Sequence, residues 1–273
     1  MYVVTGATGN VGRLVVDLLA RSGAKVAGVS RDPAAALPDG VERLAPASWP
    51  AKGAEAVVVA PRAVGDSLPA SLERAAAAGL RRVVLLSAVT VEYGGGYARF
   101  AAQFAAAEDA VRASGLDWTF LRCADFAANS LAWAPQIRAT GTVAGAYGRA
   151  ATSPVHERDI AEVAVRALLE PERHTGQAYA LTGPQSLTQE ERATQLGARF
   201  IEVPAERARA AMLAQGLPAD VPDRLLGYLA TCSDQPGPAT DTVERLLGRA
   251  RTFREWADEH AAAFAAGTGG EAR

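Results

Sequence analysis

Lysine is nearly absent from this 273-residue chain: Lys25 and Lys52 stand alone, and arginine supplies the rest of the 28 basic side chains. Chemistry that needs an ammonium group beyond residue 52 therefore has none to draw on. Cysteine is just as scarce. Cys123 and Cys232 cannot make a disulfide framework, and their use points to a reducing cytoplasm. The three histidines, His156, His174 and His260, lack the spacing of metal ligands, so no metal is expected. Apolar runs such as Val83-Val84-Leu85-Leu86 fall far short of the roughly 20 residues that span a bilayer, and no secretory leader is recognisable. With 28 basic against 30 acidic residues the net charge is -2, which speaks against a basic face for nucleic acid. The expected partner is a small-molecule substrate, with neither nucleic acid nor membrane involved, for a monomer or homodimer.

The chain opens on Tyr2-Val3-Val4-Thr5, a short apolar strand. A glycine-rich turn follows, then Val11, Leu14, Val15, Leu18 and Leu19 at helical spacing. Gly23 stops that helix and 25–30 reads as a second strand. The alternation continues with strands at 56–60, 82–87 and 118–122, separated by helices at 68–78 and 97–114. Strands without internal alternation, divided by helices, predict a parallel sheet covered on both faces. The fold class is α/β, a doubly wound parallel sheet of the Rossmann type. Residues 1–122 form the dinucleotide-binding core. Residues 123–273 carry the remaining sheet elements, interleaved with a smaller and mostly helical substrate lobe. That lobe includes a helix within 155–169, a late strand at 177–181, and helices near 188–196, 205–215, 222–230 and 253–265. The tail 267–273 is expected to fray.

The strongest motif is Thr5-Gly6-Ala7-Thr8-Gly9-Asn10-Val11-Gly12-Arg13, set between strand and helix. Gly6 suits a tight turn, Gly9 lets the backbone approach a diphosphate, and Gly12 allows close helix packing. The helix N-terminus adds amide donors and its dipole. A dinucleotide is expected on Thr5, Gly6, Thr8, Gly9, Asn10, Val11 and Gly12. After the second strand come Ser30 and Arg31, where an NAD enzyme usually places a carboxylate on the ribose 2′-hydroxyl. A guanidinium there suits a 2′-phosphate and predicts NADPH; Asp32 next door is the alternative, serving NAD. Ala60, Pro61 and Arg62 end the next strand near the adenosine half, and Ser87 and Ala88 end the following one near the nicotinamide.

The spacing Gly-x-x-Gly-x-x-Gly resembles that of the atypical short-chain dehydrogenase/reductases, in particular their NmrA-like group. The resemblance runs over nearly the whole chain. It includes Ser30-Arg31-Asp32-Pro33, the stretch from Ser114 to Arg122, Phe126 with Asn129, residues 155–161 with Asp159, Leu181-Thr182-Gly183-Pro184, and Thr240-Asp241 through Phe253. It implies that the segment carrying Phe126, Asn129, Trp133 and Tyr147 folds over the nicotinamide and, with Val89, lines a pocket for a bulky substrate. Aromatic residues at such positions equally serve a core. Cys123 stands where relatives commonly have proline.

Against that resemblance one absence stands out. Standard members use Tyr-x-x-x-Lys, whose ammonium lowers the tyrosine pKa for proton transfer. Here Tyr97 is suitably placed, but Ala101 occupies the lysine position. Ser87 matches the superfamily's catalytic serine region, or else caps its strand; Ser87 and Tyr97 are the candidate catalytic hydroxyls. His156 reads as a helix-start residue. The resemblance implies an NADPH-dependent ketoreductase without the Tyr–Lys pair, acting on an aromatic, polyketide-like carbonyl. A quinone reductase is the first alternative, and a non-catalytic NADP(H)-sensing regulator the second.

Overall fold

The computed structural model describes residues 1–49, 52–94 and 98–265. Seven strands form one sheet, all of whose pairings are parallel, in the order β3-β2-β1-β4-β5-β6-β9. These are β1 (Tyr2–Thr5), β2 (Val26–Val29), β3 (Glu42–Leu44), β4 (Ala56–Val59), β5 (Arg82–Ala88), β6 (Asp117–Cys123) and β9 (Gln177–Leu181). Between β6 and β9 lie β7 (Thr142–Gly145) and β8 (Ala151–Thr152); β10 (Leu187–Thr188) and β11 (Arg199–Glu202) follow β9.

The unalternating apolar strands are explained by burial from both sides. Side chains leave a strand on alternate faces, so neighbours in sequence enter different cores. Val3, Val57, Val83 and Phe120 pack beneath the helices Leu68–Ala77 and Ala98–Ala113, with Leu72, Ala107 and Val111. Val4, Val58, Val84 and Leu121 meet the helices Gly12–Arg21 and Glu157–Leu169 on the other face, through Val15, Leu19, Ile160 and Val163. The chain reverses direction across the sheet between β1 and β4, which opens the crevice where ligands of such folds bind.

Several sequence expectations need correction. The edge strand β3 was not anticipated, since two of its three residues, Glu42 and Arg43, are exposed and give no apolar signal. The second lobe is less purely helical than expected: β7 pairs parallel with β11, and β8 antiparallel with β10. The expected helix at 222–230 spans Asp220–Asp234, because Pro222 sits in its first turn, where no amide is needed for the ladder. The terminal helix is two pieces, Phe253–Glu259 and Ala261–Phe264, parted at His260. The tail from 266 onward lies outside the described residues. No described helix is long and apolar enough to cross a membrane, and no described group of acidic, histidine or cysteine side chains could hold a metal ion.

Candidate cofactor and substrate site

The glycine loop joins β1 to its helix directly above the switch point. Gly6 holds φ at +64°, a left-handed value that favours glycine. The Gly9 amide donates to the Gly6 carbonyl (2.9 Å) and the Arg13 amide to the Gly9 carbonyl (3.1 Å), which closes the turn. A Cβ on Gly12 would stand 2.1 Å from the Gly6 carbonyl oxygen, so loop and helix touch backbone to backbone. The amides of Asn10, Val11 and Gly12 donate to no backbone carbonyl among the described residues. Thr8, Gly9 and Asn10 are exposed, whereas Val11 anchors the turn in the core. A helix N-terminus with unused donors and a Cβ-free approach fits a diphosphate. Thr5 braces the loop from below, donating its hydroxyl to the Val58 carbonyl (3.2 Å) and accepting from the Ala60 amide (2.8 Å). A Cβ on Gly6 would meet those of Ala63 and Ala60 at 3.3 and 3.4 Å, so the turn carrying Ala60, Pro61 and exposed Arg62 packs against the loop.

At the end of β2, Ser30 is buried and its hydroxyl accepts from the Asp32 amide (3.2 Å). Asp32 turns its carboxylate back onto the Ala34 amide (2.8 Å). Arg31 is exposed and makes no ion pair or side-chain hydrogen bond among the described residues, while Arg43 braces the same turn through the carbonyls of Asp32 and Ala35. Of the two residues weighed for the ribose end, the carboxylate is engaged locally and the guanidinium is free.

Ser87 caps no backbone group among the described residues. It is buried, and its hydroxyl donates to Glu108 Oε1 (2.7 Å) on the Ala98–Ala113 helix. Glu108 is fully buried and also accepts from Arg122 Nε (3.0 Å) and Nη2 (2.8 Å) and from Arg112 Nη2 (3.0 Å). Burial pushes its carboxyl up, but the hydrogen bonds from Arg122 and Ser87 and the two guanidinium charges outweigh this and hold it below its ordinary range. Arg122 reaches on to Glu92 (2.9 Å). Tyr97 lies outside the described residues. Ala88 and Val89 are buried, and Val89 joins the core cluster of Cys123 and Ala124 instead of lining an open pocket.

The expected aromatic group is dispersed. Phe126 is half-buried against the core and bridges to Val155. Asn129 is exposed. Trp133 lies under the Arg192 guanidinium, 5.0 Å from its ring centre. Tyr147, at φ +62°, packs with Ala208 and Leu226 between the helices Ala205–Ala214 and Asp220–Asp234. His156 is the helix cap expected of it, accepting from the Arg158 amide through Nδ1 (3.1 Å). Cys123 is buried, which pushes its thiol up and leaves it inert.

Sequence reasoning missed the group at the carboxyl end of β6. Asp125 Oδ2 accepts from Arg192 Nη1 (2.8 Å) and Thr152 Oγ1 (3.2 Å), while its Oδ1 is buried without a partner. Tyr228, on the Asp220–Asp234 helix, has its phenol pushed up by burial first and by the nearby Asp125 charge second. No local spacing could reveal this assembly, since its members are drawn from separate elements.

A family model described as NAD(P)H-binding matches residues 6–171. The chain is 37% identical over 284 residues to a (4-alkanoyl-5-oxo-2,5-dihydrofuran-3-yl)methyl phosphate reductase of Streptomyces griseus, covering 97% of this chain and 99% of that protein. It is 33% identical over 293 residues to an NAD(P)H azoreductase of Xenophilus azovorans, covering 97% and 100%. An NADPH-dependent quinone oxidoreductase of Escherichia coli shares the fold at a TM-score of 0.79, with 23% identity over 95% of this chain and 99% of that one.

Proposed function

The chain belongs to the NAD(P)H-binding family, and on that premise we propose a member of the NmrA-like group of atypical short-chain dehydrogenase/reductases, an NADPH-dependent reductase of bulky conjugated carbonyl compounds of the enone or quinone type. The observation that carries this reading is the bond from Ser87 to Glu108 (2.7 Å). The Ser87 hydroxyl is buried and its hydrogen is directed at a carboxylate, away from any open space for a substrate. Ala101, four residues after Tyr97, leaves the superfamily's Tyr–Lys pair without its lysine. An isolated ketone becomes a localised alkoxide on hydride addition and needs an acid beside it. A conjugated acceptor spreads the charge, so a proton from solvent is sufficient.

Bound NADPH supplies the hydride. The chain's residues bind and orient: the amides of the glycine loop hold the diphosphate, and Arg31 meets the 2′-phosphate. Positioning then carries the reaction. The two curated relatives support the acceptor class. The ring named for one bears an oxo and an alkanoyl group beside its double bond, and the other acts on azo compounds, also conjugated electrophiles. Both calls for hydride at an electron-poor π system suit the quinone alternative better than a saturated ketone.

The test is NADPH consumption, followed by loss of reduced-nicotinamide absorbance, with menadione, a 2-acylbutenolide and the matching saturated ketone. The quinone and the butenolide should be turned over and the ketone should not. Faster reduction of the saturated ketone would overturn the assignment.

A further inference from the structure

The surface helices of the second lobe are fastened to their surroundings by polar side chains, with one exception. Gln189 donates to the carbonyls of Ala146 and Tyr147 (2.7 and 2.8 Å), Arg138 to that of Ala263 (2.6 Å), Arg254 to that of Gln195 (2.8 Å), and Arg166 to that of Leu246. The exception is the pair Ala205–Ala214 and Asp220–Asp234. Among the described residues, none from 204 to 236 makes a hydrogen bond or an ion pair with residues 1–203 or 238–265. Backbone bonds close this stretch at its two ends, from the Val203 amide to the Gly145 carbonyl (2.8 Å) and from the Gly237 amide to the Ala151 carbonyl (2.9 Å). Pro204 and Pro236 sit just inside them, where no amide can extend the pairing.

The two helices are tied instead to each other. Arg209 Nε and Nη2 donate to Asp223 Oδ1 (2.6 Å) and Oδ2 (3.3 Å), so the pair is one body. Its grip on the rest of the fold is slight. Only Ala208 of ten residues is buried in the first helix, and Pro222, Leu226 and Cys232 of fifteen in the second, against eight of thirteen in Glu157–Leu169. The cluster that seats the pair, Ala208 and Leu226 on Ala146, is the smallest of the four apolar clusters. Few buried contacts and no polar tie place an element at the low end of local stability.

This loosely held pair lies over the strand ends. The Arg224 guanidinium stands 4.6 Å from the ring centre of Phe100, which is in the first turn of the helix that follows β5 and hence at the carboxyl end of that strand. One turn on, the Tyr228 hydroxyl and the Thr152 Cα lie 3.4 and 3.5 Å from the point that a Cβ on Gly237 would occupy. The Thr152 hydroxyl bonds Asp125 (3.2 Å), two residues past β6. The helix Asp220–Asp234 therefore reaches from the carboxyl end of β5 to that of β6, where such sheets bind their ligands. Its seat is incompletely paired, since Arg224 Nε and Asp125 Oδ1 are buried without partners. Closing on an empty site thus gains little for the protein alone.

We propose that residues 204–236 are a lid, two helices that turn as one body about 203–204 and 236–238 and close over the nicotinamide end of bound NADPH. Hinges of this kind need only a few residues at element ends. Closure follows the cofactor because a ligand under the lid favours the closed state. Opening admits the acceptor; that half of the proposal rests on the reductase reading, and closure on the cofactor does not.

The chain carries its own probes. Cys232 is buried on the lid and Cys123 is buried in the core of the sheet, so lid opening exposes the first and only global unfolding the second. Alkylation of the full chain by iodoacetamide is followed by peptide mass mapping, with and without NADPH. Cys232 should react at least tenfold faster than Cys123, and NADPH should slow Cys232 at least threefold. Leu226→Ala, which hollows the seat two turns from the thiol, should quicken Cys232 by at least about tenfold and leave Cys123 unchanged. Equal rates at the two cysteines, or a Cys232 rate that NADPH does not slow, overturn the lid. A Cys232 rate indifferent to Leu226→Ala assigns its exposure to fraying of the helix end and overturns it as well. Should the variant quicken both thiols alike, the pair belongs to the cooperative core and is no lid. No arm needs turnover, so a protein that binds NADPH without reducing anything fails the reductase reading while leaving this test intact.

Discussion

Gly9 and Gly12 are three residues apart in one loop, yet substituting them should damage different properties. Gly9 is exposed and its φ lies outside the left-handed region; a Cβ there would come 3.3 Å from the Gly6 carbonyl oxygen, which a small shift relieves. The added bulk of valine then stands where a diphosphate must approach the amides of Asn10, Val11 and Gly12. Losing one or two charge-assisted hydrogen bonds, at about 1.5–3 kcal/mol each, predicts a fall of roughly one to four decades in NADPH affinity. At Gly12 even alanine places its Cβ 2.1 Å from the Gly6 oxygen and 2.8 Å from its carbon, both backbone atoms that cannot rotate away. Overpacking of this kind costs about 1–3 kcal/mol of stability. The assays are NADPH titration by fluorescence and urea unfolding by circular dichroism. Gly9→Val should keep its unfolding midpoint and lose the cofactor, while Gly12→Ala should lose stability. A folded Gly9→Val protein with undiminished affinity would refute the diphosphate placement.

Arg31→Ala should weaken NADPH by about one to two decades and leave NADH unchanged, as one lost phosphate contact requires; equal effects on both would show that Arg31 does not meet the 2′-phosphate. Glu108→Gln should cost about 3 kcal/mol near neutral pH, because Arg122 is left without its buried partner. The Glu108 carboxyl is depressed on folding, so its contribution is present above the ordinary carboxylate range and is lost as pH falls through the folded value; acid unfolding curves of parent and variant should converge there. Ser87→Ala should reduce stability by about 1 kcal/mol and leave turnover within roughly threefold, whereas a hundredfold loss of kcat would make Ser87 a proton donor after all. Tyr97→Phe should stay within about tenfold of the parent, since removing a true general acid costs about 10²–10⁴.

The parts legible in the sequence were those whose physics is local. The glycine loop is contiguous, and β1, β4 and β5 are buried on both faces, so their composition announces them. β3 and β7 have exposed faces and only three or four residues, and neither carries such a signal. The place of Tyr147 over the nicotinamide was implied by the family resemblance and had no local signal of its own; its side chain packs on the cluster of Ala146, Ala208 and Leu226. Ser87 could be placed at a strand end but not partnered, because Glu108 lies 21 residues on, along a helix whose facing residues depend on how it docks. Asp125, Thr152 and Arg192 are separated by 27 and 67 residues from the first, and only the folded chain brings them together.

The Ser87–Glu108–Arg122 connection also bears on how the reductase proposed above would act with Ala101 in the lysine position. A general acid contributes about 10²–10⁴ in rate, whereas holding two reactants in attack geometry contributes up to about 7–11 kcal/mol, several decades more. In the reductase proposed above, the larger of these terms depends on a rigid carboxyl end of β5. Glu108 provides that rigidity by tying β5, through Ser87, to β6, through Arg122, from a single buried carboxylate. Returning Ser87 to proton transfer would leave one oxygen of that carboxylate short of a donor and loosen the edge that positions the reactants. On the proposed reading, a conjugated acceptor needs little help from an acid, and a fixed strand end then serves the reaction more than a proton donor would.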